Sequence, residues 1–243
     1  MLHPRIRDNA SDAPKPDDRF LPPSAEDPTC PGGSRPHHAL GLLYHELFHA
    51  YLDYLFSAKD PKTLSQTGQA ILALANEQLR CHYRFVRINP IRQRKAATEL
   101  RFLSKEDAWE VLNETWAVFV GWTVWTKLEI FHGNVSKTDW SPEAVKEWSQ
   151  RLTQASQSGE LLGYYEPDDP EERRVARKRF IAPSNGMTPQ DTERILADIL
   201  KSPPEIVQAS TAVIQESKMD IKTGKPAQTQ RTVAHGSKIE AQQ

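Results

Sequence analysis

Two histidines and a glutamate stand in a spacing that suits metal chemistry: His45-Glu46-Leu47-Phe48-His49, the pattern H-E-x-x-H. On a helix, positions four apart lie about 40° apart on one face, so two imidazoles there can converge on one ion. Glu46 lies about 100° round from His45, beside such an ion rather than on it. That is the place of a general base for a water activated by the metal. With eight histidines in 243 residues, chance yields this pattern on the order of 0.02 times per chain of this length. Leu42, Leu43, Leu47, Phe48, Leu52, Leu55 and Phe56 surround the motif and leave almost no polar face. The segment therefore predicts a helix buried on most sides. Unpartnered, two buried histidines and a glutamate would cost several kcal/mol, about what an ion or a set of hydrogen bonds would recover.

A catalytic zinc needs a third protein ligand and an open position. The extended pattern HExxHxxGxxH requires glycine and histidine where this chain has Leu52 and Leu55, so that class is excluded. The best third ligand is Glu114, in Asn113-Glu114-Thr115-Trp116-Ala117. It sits among Val111, Leu112, Ala117 and Val118. Its own face runs on to Ala117 and Gly121, whose small size would let another helix come close. Glu110 is the rival, one turn earlier, but it stands with Glu106 and Asp107 in a first turn where carboxylates favour the positive helix end. Asp53, four residues after His49, either accepts the second ring N–H of a ligand or is an ordinary surface carboxylate. Tyr44, Tyr51 and Tyr54 read mostly as core aromatics. Tyr164 and Tyr165 could bring a phenol near the site to steady an oxyanion.

The elements that must position these residues are helical. The periodicity predicts helices over residues 37–58, 63–83, 105–131, 142–157, 189–201 and 204–217. Ser141-Pro142, Thr188-Pro189 and Ser202-Pro203 each place a hydroxyl before a proline, a helix-start signal. In the second helix Leu72, Ala75, Leu79 and Tyr83 share a face. Strand signals are weak and confined to residues 83–88, 161–165 and 179–182. Residues 1–36 hold eight of the 18 prolines and read as an extended or flexible lead-in. Residues 220–243 are polar and aperiodic and read as a disordered tail. The expectation is a mainly α domain over 37–219, with little or no β-sheet.

Composition narrows the partners. Lys and Arg total 31 against 32 Asp and Glu, a net charge of −1. That disfavours a nucleic-acid binder, which relies on clustered cations. Basic runs at 83–95 and 173–179 read as solvated faces. Trp116 to Trp125, the longest strongly apolar stretch, is half of what a membrane span needs, so no membrane partner is expected. Cys30 and Cys81 are too few for a disulfide framework. With Met1 as the true start, no apolar leader precedes the domain, which predicts a cytoplasmic protein. With an earlier start the compartment stays open.

The motif on an apolar helix, with a later glutamate in an N-E-x-x-A setting, resembles the gluzincin metallopeptidases. The resemblance covers roughly residues 40–121. It implies a zincin-like domain with Zn2+ held by His45, His49 and Glu114, Glu46 as general base, and a peptide or protein substrate. It also implies a small sheet ahead of the first helix, where this chain carries its Pro-rich segment. Three other readings compete. A peptide-deformylase-like site would take its third ligand from an upstream cysteine, here Cys30, which as an alternative could cap the zinc. A di-iron bundle would use Glu129-Ile130-Phe131-His132 and a further carboxylate such as Glu77. A non-catalytic helical interaction domain would keep the motif as a structural or degenerate site.

Overall fold

The computed structural model describes residues 35–89, 98–132 and 139–223, and residues Arg35 onward form one compact unit. Its α-helices are α1 (Arg35–Ser57), α2 (Gln66–Cys81), α3 (Lys105–Ile130), α4 (Pro142–Ser158), α5 (Pro170–Val175), α6 (Pro189–Arg194) and α7 (Pro204–Thr223). A wider π turn, Ile195–Ile199, continues α6. Four short strands complete the set: β1 (Phe85–Ile88), β2 (Glu99–Phe102), β3 (Tyr164–Tyr165) and β4 (Arg179–Phe180). The fold is mainly α, as the periodicity predicts.

Local chemistry starts the helices where the sequence places them. The hydroxyls of Ser65, Ser104 and Ser141 accept from the backbone N–H groups of Gly68, Asp107 and Ala144. Each satisfies a donor the helix cannot. Thr188 and Asp191 form a reciprocal capping box on α6. Gly159 ends α4 at φ 86°, a left-handed conformation that glycine adopts without penalty.

α3 is the centre. Val111, Leu112, Trp116, Ala117, Phe119, Val120 and Leu128 are buried on several of its sides. α1 packs along it, crossing where Gly41 and Gly121 meet, and α2, α4 and β3 cover other sides. Trp122, Trp140, Trp148 and Phe131 pack edge to face, and the Trp148 indole donates to the buried Ser210 hydroxyl at 2.9 Å, joining α4 to α7.

The strands pair more than their weak signals suggest. β1 runs antiparallel to β2, with Phe85 opposite Phe102, and β3 runs antiparallel to β4. A bridge between Ile88 and Ile181 links the two pairs, with Ala182 N–H donating to the Arg87 carbonyl at 2.8 Å. A charged network stitches the strip to α5. Glu172 accepts from Arg101 and Arg179, Glu99 pairs with both arginines, and Arg101 also donates to the Tyr165 hydroxyl.

Several expectations need correction. α1 is not buried on most sides: Gly41, Phe48, Leu52 and Leu55 face α3 and α2, while Leu42, Leu47 and Tyr54 are 58%, 53% and 61% exposed. The helix is apolar all round, but among the described residues it has neighbours on one side. Tyr44 is likewise exposed, so Tyr44 and Tyr54 are not core aromatics. The buried face of α2 centres on Ile71, Leu74, Ala75 and Gln78, about one residue off the predicted stripe. α5 and β2 lie where no element was expected. α7 continues to Thr223, into the segment read as a tail. The lead-in expected over 1–36 gives its last two residues to α1, while residues 1–34, with Cys30, and the tail beyond 223 lie outside the described residues. Among the described residues, no helix is long and apolar enough to cross a membrane.

Candidate metal centre

α1 carries His45 and His49 on adjacent turns of the flank that faces α3. α3 presents Glu114 to both. The His45 and His49 Nε2 atoms are 2.9 Å apart. His45 Nε2 lies 3.7 Å from one Glu114 oxygen and His49 Nε2 3.6 Å from the other. One donor atom from each residue lies within 4.8 Å of the others, the sole such grouping of three among the described residues. Two ligands about 2.0–2.1 Å from a zinc ion at the tetrahedral angle are roughly 3.3–3.4 Å apart. The separation of the two Nε2 atoms falls below that figure, and the distance from each to its nearer Glu114 oxygen falls above it.

The outward sides of the rings also have neighbours. His49 Nδ1 donates to the Asn113 side-chain oxygen at 2.9 Å. The Ala117 backbone lies near enough to the His45 ring to favour its protonated form. Two imidazole nitrogens this close need a shared proton or a cation between them. Glu114 Oε2 is buried without a hydrogen-bond partner. Two imidazoles and a carboxylate with an orphaned oxygen are donors of the chemical kind that suits zinc, so the residues present fit that ion.

Burial, and His49 beside it, hold the His45 imidazole below its ordinary value, while Glu114, Glu46 and the Ala117 carbonyl act the other way. The neutral ring is the form that ligates. Glu46 is exposed on the solvent side of α1. Its carboxylate is near enough to His45 to act on it electrostatically.

β3 supplies a further group. Gly163 presses against α3 so closely that a Cβ there would sit 2.0 Å from the Thr115 hydroxyl and 2.9 Å from the Val111 carbonyl. Glycine is needed at this point of approach. The next residue, Tyr164, lies beside the Glu114 side chain, and burial and that carboxylate push its phenol well above the ordinary range. Tyr165 turns the other way, into the core, and meets Arg101.

The other candidates fall outside the cluster. Glu110 accepts from the Glu166 N–H at 3.1 Å, and burial raises its carboxyl. Asp53 is exposed, and the second ring nitrogen of His49 is taken by Asn113. It lies about 40° further round α1 than His49, on the solvent side. Glu77 is exposed, and Glu129 pairs with Arg151. Asn113 and the Ala117 carbonyl are the functional groups missed by sequence reasoning. Asn113 stood in the quoted motif next to Glu114 and is the one that could have been found. No protein-family model, no curated protein and no solved structure matches the chain.

Proposed function

We propose that the protein is a zinc-dependent metallopeptidase whose metal is held by His45, His49 and Glu114. The observation that carries this reading is the convergence of three donor atoms from two helices, with no hydrogen-bond partner for Glu114 Oε2. When bound, zinc supplies Lewis-acid polarisation of a carbonyl and acidification of water. The chain supplies the rest. Glu46, exposed beside His45, takes the proton from the attacking water and returns it to the leaving amine. Asn113 holds the His49 ring, the Ala117 backbone lies beside His45, and Tyr164 steadies the Glu114 carboxylate.

A second reading, an interaction domain with a structural metal site, draws on the exposed apolar side chains of α1 beside the motif. One set of measurements separates the two. Elemental analysis of protein prepared without chelator should find one zinc per chain, lost in His49→Ala and kept in Glu46→Gln. Hydrolysis of a mixed peptide library should be present in the wild type and abolished in Glu46→Gln. Zinc binding without hydrolysis by the wild type would favour the structural reading. Absence of metal would sink both.

A further inference from the structure

α1 and α3 meet backbone to backbone at Gly41, one turn before His45, and Gly121, two turns after Glu114. A Cβ built on Gly121 would lie 2.8 Å from the Gly41 carbonyl oxygen and 3.2 Å from His45 Cβ. A Cβ built on Gly41 would lie 3.1 Å from both the Gly121 carbonyl oxygen and Trp125 Cβ. The first of these contacts is with backbone and too short to be accommodated in place, so the helix or the histidine must move. Alanine is the better helix former at either position, so local helix propensity does not call for glycine here.

We infer that Gly121 is a positioning residue for the His45–His49–Glu114 cluster: its bare backbone sets how near His45 comes to Glu114. This rests on reading the cluster as a metal site. A methyl at position 121 either lifts α1 at Gly41 or turns His45 away from its contact. His49, a turn further along α1, moves less. The three donors then lose their common centre, and metal sites tolerate distance errors of only about 0.2 Å. Gly68, on α2 where it packs against α1, provides a control. Its added methyl would meet Leu55 Cδ2 at 3.0 Å, the end of a flexible side chain, and touches neither histidine.

The test uses the full chain. Cobalt(II) absorption titration and zinc competition against a chelator compare wild type, Gly121→Ala, Gly41→Ala and Gly68→Ala. The expected result is a loss of affinity of about tenfold or more in Gly121→Ala, a smaller loss in Gly41→Ala, and affinity within about twofold of wild type in Gly68→Ala. Wild-type affinity in folded Gly121→Ala overturns the inference, as does an equal loss in Gly68→Ala. Should Gly121→Ala fail to fold, Gly41→Ala decides, and unchanged affinity there overturns it. In metal-free protein the His45 ring nitrogen resonances should shift in Gly121→Ala while those of His82 stay in place; an unmoved His45 also overturns it. A wild type that binds no metal would instead overturn the proposed function, with the ring resonances still deciding the role of Gly121.

Discussion

Asn113 shows how much a neighbour of a ligand can matter. Its side-chain oxygen lies 2.9 Å from His49 Nδ1 and favours a proton there, which leaves Nε2 for the side shared with Glu114. Asn113→Ala should weaken zinc binding by about 10–100-fold, the usual cost of removing such a partner, with an unchanged far-UV circular dichroism spectrum. Asn113→Asp, which keeps an acceptor, should retain most of the affinity. Equal binding by Asn113→Ala and wild type, measured by chelator competition, would remove Asn113 from the site. His45, Glu46 and His49 are legible from sequence because one helical turn relates them. Glu114 is legible through its unusual place on an apolar helix. The Ala117 carbonyl is not legible at all, because every residue carries one and only the packing of α1 on α3 selects it. Asp53 misled for the complementary reason: helical spacing put it near the ring without telling which side faced solvent.

Among the elements, long helices were readable because caps and periodicity are local. The hydroxyl-before-proline pattern at Ser141 and Thr188 became two observed N-caps. β2 and α5 were not readable, since the pairs that join them to the rest of the strip, Arg101 with Glu172 and Arg179 with Glu99, are distant in sequence. The α6 cap carries its own testable charge. Asp191 is fully buried, and burial pushes its carboxyl up to about 6, outweighing the Thr188 hydrogen bonds, the Lys218 charge and the Trp116 indole that pull it down. A carboxyl raised in the fold binds its proton more tightly there than in the unfolded chain, near 3.9. Its contribution therefore favours folding at low pH, fades between about pH 4 and pH 6, and costs most above that window. Asp191→Asn keeps an acceptor for the Thr188 N–H and removes the charge. Its stability relative to wild type, from urea unfolding, should rise across that window by on the order of 2–3 kcal/mol. A difference that stays flat with pH would show that the buried charge carries no such cost.

For the molecule as a whole, the mainly α class was evident from the sequence, while the joined strand pairs were not, because two- and four-residue strands carry too little periodicity. The apolar character of α1 led to an overestimate of its burial, since composition reports what a helix can bury and not how many neighbours it has. The cluster links α1 to α3, so the proposed ion would couple its binding to global stability. With zinc about 100-fold above its dissociation constant, mass action adds about 2.7 kcal/mol. For a domain of this size that is roughly 5–10 °C in thermal midpoint. EDTA should reverse the rise, and His49→Ala should show none. An equal response of wild type and His49→Ala to zinc would place the ion elsewhere.

The 64 residues that separate His49 from Asn113 also set a schedule for synthesis. Both imidazoles emerge from the ribosome together on α1. The strand pair and the carboxylate-bearing helix follow roughly 3–13 s later at 5–20 residues per second. Until then the nascent chain offers a cation only a two-histidine foothold, with an apolar helix that has not yet met α3. On the proposed reading, a three-ligand site exists only once the central helix has been made, and a chain stalled before that point carries the motif without the centre.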